Sequence, residues 1–243
     1  MAACFFLFIV EKLFIHFFIP SFPQKFKSFP HKSVENSLKI HMNLHKFSTI
    51  GGKFSKFMLS KRRLYIMEII RKATKYDINA IMNIEKEAFS EGIKENKDVF
   101  LDRIESFSDG FFILEDKNKT IGYFSSELWN SVPQKGDNCF SLNHSALKNH
   151  KKEGTVLYIS SIAILNEYKG TGLGYRFFYK SVEKIMKSFP QIKEIVLLVN
   201  EIWIPALHIY KKCGFIEYGR IQNFFSSAGI KTDGILMRKS VDL

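Results

Sequence analysis

Between Thr155 and Phe215 the chain reads strand, basic glycine turn, helix, strand, helix, and few folds accept that order. Leu157-Tyr158-Ile159-Ser160-Ser161-Ile162-Ala163-Ile164 is rich in β-branched and aromatic residues, as a buried strand requires. Soon after stands Lys169-Gly170-Thr171-Gly172-Leu173-Gly174, and a helical pattern follows at once. Glycine lets the backbone approach a charged ligand, while a helix start points N–H groups at it. Such a turn can cradle a pyrophosphate. Read more plainly, it is a tight strand-to-helix turn that binds nothing.

Spacing excludes two common phosphate-binding patterns. A dinucleotide site needs G-x-G-x-x-G with an acid closing the next strand. Here the third position is Tyr175, and Glu194 opens the following strand instead of closing it. No Gly-Lys-Ser/Thr follows either, which removes the P-loop reading. The spacing that does occur, Lys169-x-x-Gly172-x-Gly174, resembles the Arg/Gln-x-x-Gly-x-Gly/Ala signature of GCN5-related N-acetyltransferases (GNAT). A second signature of that family matches Ala206-x-x-x-Tyr210-x-x-x-Gly214-Phe215, in family order. The resemblance covers about residues 67–239. It implies an α/β fold of the α+β type, with a mixed, mostly antiparallel central sheet flanked by helices on both faces. The expected domain is 67–243.

Charge distribution argues against a nucleic-acid partner. The formal charge is +12, but residues 1–66 hold 11 of the 36 Lys and Arg and only 2 of the 24 Asp and Glu. The rest of the chain therefore carries 25 − 22 = +3, too balanced for a basic binding face. Cys4, Cys139 and Cys213 have no metal-ligand spacing and form no disulfide framework, which suits a reducing, cytoplasmic setting. Residues 1–66 form a basic, Phe-rich extension. Ala2–Pro20 is mostly apolar, yet Glu11 and Lys12 sit near its centre, where charge is costly in a bilayer. A leader, an anchor and translation from an upstream start codon all remain open, the last favoured.

Along the domain, Met67–Lys72 reads as a first strand and Thr74 as an N-cap. Ile78, Ile81, Met82, Ile84, Ala88 and Phe89 then form a helical stripe. Phe100, Ile104 and Phe107 mark a second helix. Phe111–Glu115 and Thr120–Leu128 read as a hairpin about Asp116-Lys117-Asn118-Lys119. Residues 129–153 are polar and read as an excursion beside the active site. A central helix from Gly172 to about Ser188 follows. After it come a strand Ile195–Val199, a helix Ala206–Cys213, and strands Phe215–Ile221 and Gly234–Lys239.

The resemblance implies acetyl transfer from acetyl-CoA to a primary amine by direct attack on the thioester, with no metal. Ile162, Ala163 and Ile164 would bond the pantetheine arm. Lys169, Gly170, Thr171, Gly172, Leu173 and Gly174 would hold the diphosphate, and Tyr210 would donate a proton to the leaving sulfur. Leu198 stands where related peptide acetyltransferases often carry glutamate, and Trp203 replaces a common asparagine. Candidates for the base are therefore Glu127, Ser160 or Ser161 through water, and His144. A strand-end carboxylate is more often solvated, and a loop histidine exposed.

Two acceptor classes compete. The segment from Phe100 to Phe107 resembles arylalkylamine-type acetyltransferases, and Phe100 and Phe107 would line a small apolar amine. Phe224 and Phe225 stand where peptide N-terminal acetyltransferases carry paired tyrosines at the peptide mouth. The small amine is the favoured expectation, in a monomer or homodimer, with a membrane partner left open only by residues 1–20. A non-catalytic acyl-CoA-binding protein of the same fold is a further reading.

Overall fold

The computed structural model describes residues 68–134 and 138–241. The expectations for residues 1–66, anchor and leader included, lie outside the described residues. Among the described residues seven strands form one sheet in the order β1-β2-β3-β4-β5-β7-β6. They are β1 (Ile69–Lys72), β2 (Phe112–Asp116), β3 (Lys119–Trp129), β4 (Val156–Ile164), β5 (Glu194–Asn200), β6 (Ile216–Ser227) and β7 (Ile230–Ser240). All neighbours are antiparallel except β4 and β5. A parallel pair needs a crossover, and here it is the helix that follows the glycine turn.

The helices are α1 (Ile78–Ala88), α2 (Lys97–Ser106), α3 (Ala146–Asn149), α4 (Leu173–Ser188) and α5 (Ile204–Lys212). Adjacent residues of β3 show how they divide between the faces, because successive side chains point to opposite sides of a strand. Tyr123 meets Phe100 of α2 at 5.3 Å between ring centroids and bonds Glu85 of α1. Phe124 meets Phe177 and Phe178 of α4 at 6.4 and 6.3 Å. Tyr210 of α5 packs on Phe178 at 5.1 Å, so α5 joins the face of α4. Helices cover both sides, with Ile81, Ile84, Phe100, Phe112, Phe124, Phe177 and Ile185 at most 2% exposed.

Most elements fall where the apolar period places them. Thr74 does begin a turn, but Asp77 accepts from both the Thr74 N–H and its hydroxyl, at 2.8 and 2.9 Å. A short 3-10 turn, Lys75–Asp77, therefore precedes α1. The last hairpin is much longer than the alternation suggests. Register shifts at Glu217/Gly219 and at Ile221/Phe225 reset which side chains face inward, and Asn223 takes a left-handed φ of 52°. Each bulge hides the continuing strand from a period-two reading.

The polar excursion after β3 folds back against the α1–α2 face. Asp102 of α2 accepts from Ser145 Oγ at 2.7 Å and from the Leu147 N–H at 2.8 Å. Glu95 accepts from the Asn143 N–H at 3.0 Å while holding Arg103 by two bonds of 2.6 and 2.7 Å. Burial alone would push the Glu95 carboxyl up, but the Arg103 guanidinium and the Asn143 N–H hold it below its ordinary range. This buried pair joins the α1–α2 connection, α2 and the excursion into one unit.

Candidate active site

The sheet opens where the parallel pair β4 and β5 parts. β4 and β5 stay paired from Val156↔Glu194 to Ile159↔Leu197, although β4 runs on to Ile164 and β5 to Asn200. The cause lies on the other edge of β4. Ser125 faces Ser161 and Ser126 faces Ile159, so Ser160 is the extra residue of a bulge. A bulge bends its strand and sharpens the local twist, which carries β4 away from β5.

Beyond the bulge, one edge of β4 has no strand beside it among the described residues. The Leu165 N–H donates to the Ile121 carbonyl at 2.9 Å, so Leu165 points toward β3. Strand alternation gives Ala163 the same direction and turns the N–H and C=O of Ile162 and Ile164 to the open edge. Of the three expected pantetheine contacts, Ile162 and Ile164 have the suitable orientation, whereas Ala163 pairs with Tyr123 of β3.

The open edge runs toward the glycine turn. Gly172 caps α4 with φ 77° and Gly170 has φ 71°, values that side-chain-bearing residues rarely adopt. Lys169, Gly170 and Gly172 are exposed, Thr171 and Gly174 half-buried, and Leu173 is buried as the first core residue of α4. Not every N–H of the turn is available. Lys169 donates to the Asn166 carbonyl at 3.0 Å, and Leu173 to Thr171 Oγ1 at 3.3 Å. A cradle would thus draw on Thr171, Gly172 and the first turn of α4, where Gly174 and Tyr175 have no intrahelical acceptor. Gly174 packs between Ile164 of β4 and Ile209 of α5, either of which would stand 3.7 Å from a Cβ placed there. Open strand, turn and α5 are thereby brought to one place.

Tyr210 follows Ile209 and is buried among Phe178 and Phe215. Burial, with a smaller contribution from Cys213, pushes its phenol far above the ordinary value. It keeps its proton at any physiological pH, and so can act as a hydrogen-bond donor.

The opposite face carries the other candidates. Glu127 and His144 are neither solvated nor exposed: they are 1% and 8% exposed, and His144 Nε2 bonds Glu127 Oε1. The second ring nitrogen, Nδ1, lies 2.9 Å from the Ser141 carbonyl and must be its donor. The bond to Glu127 then needs one further proton, on the ring or on the carboxyl. Glu127 Oε2 has no hydrogen-bond partner among the described residues. Ser160 Oγ bonds Ser125 Oγ at 2.7 Å, and Ser161 Oγ bonds the Tyr123 hydroxyl at 2.9 Å.

The aromatic candidates serve packing. Phe100 is fully enclosed between Phe111 and Tyr123, and no part of it reaches a surface. Phe107 stacks on His150 at 4.6 Å and meets Phe189 at 5.1 Å, close to the end of α4. Phe225 is buried against Trp203 at 5.3 Å, and Trp203 meets Phe89 at 5.2 Å. Trp203 thus fastens the end of α1 to the last hairpin. Phe224 is half-buried beside Gly234 and packs in the cluster that includes Leu198. A second fastening lies nearby: Ser90 Oγ bonds Ser227 Oγ at 2.8 Å, and a Cβ on Gly92 would collide with the Ser226 carbonyl.

Three polar residues of this region escaped sequence reading. Glu85 is 1% exposed on the inner face of α1, accepting from Tyr123 and from the Glu95 N–H at 2.9 Å. Its place after Ile78 and Ile81, on the same helical stripe, was the available signal. Tyr123 looked like any strand aromatic. Asn200, fully buried at the end of β5, accepts from the Ile202 N–H at 3.2 Å and leaves Nδ2 without a partner among the described residues.

A mixed sheet split at its parallel pair, with a glycine-capped helix at the mouth, defines an acyltransferase fold. The acetyltransferase (GNAT) family profile matches residues 78–215, more than half of the chain, and the chain belongs to that family. It is an acyl-CoA-dependent N-acetyltransferase. A Sulfurisphaera tokodaii N-alpha-acetyltransferase is 28% identical over 158 residues, covering 65% of this chain and 85% of the relative. Its Sulfolobus acidocaldarius counterpart is 26% identical over 168 residues, covering 69% and 89%. The crystal structure of the ribosomal-protein-S18-alanine N-acetyltransferase from Escherichia coli shares the fold at a TM-score of 0.55 and 16% identity. It covers 73% of this chain and 96% of that one. Among the described residues no helix is long and apolar enough to cross a membrane.

Proposed function

We propose that this enzyme acetylates the α-amino group of a polypeptide N-terminus, using acetyl-CoA as donor. The observation that carries acetyl transfer is the unpaired edge of β4 leading to the glycine turn. Pantetheine lies along Ile162 and Ile164 as an added strand, and the diphosphate meets the N-terminal end of α4, where the helix dipole favours negative charge. Gly170 and Gly172 present no Cβ to hold a phosphate off. Tyr210 donates a hydrogen bond to the departing sulfur. Its raised pKa makes it a stabilising donor more than a free acid.

The acceptor approaches from the face of α1 and α2, and Glu127, His144 and Ser160 are among the polar groups of that side. The acceptor class rests on the two relatives named N-alpha-acetyltransferase, which this chain matches over most of their length. A small apolar amine is the second reading. It is favoured by the Ser90–Ser227 fastening, which would narrow an approach between the end of α1 and the last hairpin.

Acetylation of a free tetrapeptide, its N-terminally blocked form with an internal lysine, and phenethylamine separates the readings. Transfer to the free peptide alone supports the proposal. Turnover of phenethylamine alone replaces it with the small-amine reading, and tight CoA binding without turnover would reduce the protein to a binding module.

A further inference from the structure

The geometry points to a proton path that starts at Ser161 beside the bulge of β4, passes through Tyr123 and ends on the Glu85 carboxylate. It rests on the acetyl-transfer reading above and supplies the proton acceptor that this reading lacks. Ser161 is half-buried at the split, whereas Tyr123 and Glu85 are fully enclosed, so the chain leads from the reaction region into the protein.

The direction of the path follows from counting protons. Tyr123 has one hydroxyl proton and donates it to Glu85 Oε2. Toward Ser161, 2.9 Å away, the phenol oxygen can only accept, so the Ser161 hydroxyl donates. Ser161 Oγ is left with lone pairs for a proton arriving from an amine. Glu85 uses its two oxygens differently: Oε1 accepts from the Glu95 N–H and Oε2 receives Tyr123.

In the transfer step the amine nitrogen bonds the thioester carbonyl carbon. One N–H proton moves to Ser161 Oγ as Ser161 gives its own to Tyr123, and Tyr123 gives its own to Glu85. The C–S bond breaks, its electron pair stays on sulfur, and the thiolate takes a proton from solvent while Tyr210 holds it. Glu85 then returns its proton through Tyr123 and Ser161 to solvent, which resets both hydroxyls, and the charges balance.

The groups around Glu85 suit this task. Tyr123 faces it from β3, Glu95 from the α1–α2 connection and Arg103 from α2. Arg103 is committed to Glu95 by two bonds, so it neutralises that neighbour and only weakly tethers Glu85. Burial pushes the Glu85 carboxyl up from 4.5 to about 7, against the pull of Tyr123 and of the Glu95 N–H. A base of that strength accepts a proton near neutrality and releases it again.

The alternative is that Glu85 merely pins the α1–α2 connection through Glu95. Turnover of the full chain with acetyl-CoA and either phenethylamine or the free tetrapeptide tells the two apart. The readout is the ratio of wild-type to Tyr123→Phe turnover at each pH, in which the ionisation of the acceptor cancels. The path predicts a ratio of about 100 at about pH 8, shrinking to about 3 or less near pH 5.5, where Glu85 already holds its proton. Acetyl-CoA affinity should stay within about twofold. Ser161→Ala should follow the same pH course and Ser161→Thr should recover most of the activity. If Tyr123→Phe does not fold, the half-exposed Ser161 variants decide alone. A ratio that is flat with pH overturns the path and leaves acetyl transfer standing. A wild-type protein that binds acetyl-CoA but acetylates neither probe overturns both.

Discussion

The two sides of the split are built by opposite means. On the acyl-CoA side, β4, the glycine turn and α4 follow one another within about thirty residues, and main-chain N–H and C=O groups would provide the contacts. On the acceptor side, α1, α2, the excursion and the last hairpin converge from distant parts of the chain. Side chains hold them: Asp102 to Ser145, Glu95 to Arg103, Trp203 between Phe89 and Phe225. A backbone site tolerates side-chain drift provided the turn survives. A side-chain site changes its acceptor with each substitution, so one donor can be served to many amines.

That contrast predicts where damage appears. The largest effect belongs to the acceptor side and falls on stability. Glu95→Ala leaves the Arg103 charge buried and unpaired, and chemical denaturation should show a loss of about 3–5 kcal/mol. A loss of affinity for acetyl-CoA larger than the loss of stability would break the division. The same side carries a pH signature of about 3 kcal/mol. The folded state raises the Glu85 pKa from 4.5 to about 7, so it keeps a proton that the unfolded chain releases sooner. Stability from this group is full below the unfolded value and is lost as pH rises through about 7. Glu85→Gln should remove that decline in thermal melts taken across the window.

On the acyl-CoA side, Gly172→Val forces a β-branched residue into a φ of 77° at the cap of α4. Calorimetry should find acetyl-CoA binding weakened about 100-fold, with melting temperature changed far less. Tyr210→Phe should lower maximal turnover about 10-fold and leave that affinity nearly intact, because only the hydroxyl is lost. The smallest effect tests the fastening. Ser227→Ala removes a single exposed hydrogen bond, and KM for a bulky acceptor should fall by about threefold or less.

The same division decides what could be read before folding. The local side was legible: glycines, strand and following helix are consecutive, and each has a period or composition of its own. Even there, the free orientation of Ile162 and Ile164 depends on the bulge at Ser160, and nothing in the spacing announces a bulge. The converging side was largely hidden. Phe100 and Phe107 carried the right chemistry for an apolar wall, yet long-range packing buried them. Glu127 and His144 read as a solvated carboxylate and an exposed histidine until the excursion folded back over β3. Glu85 gave the one local clue, a charge on an apolar stripe, because burial against a distant strand leaves its mark on the helix itself.

Isothermal titration of the folded chain with acetyl-CoA, beside Gly172→Val, addresses the main-chain cradle without requiring the acceptor to be known. Saturable one-to-one binding at about 10 µM or tighter in the wild type, weakened about 100-fold in the variant, is the expected result. A wild type that takes up no acetyl-CoA, or a variant that binds it equally well, would mean that the turn at 169–174 does not grip the diphosphate.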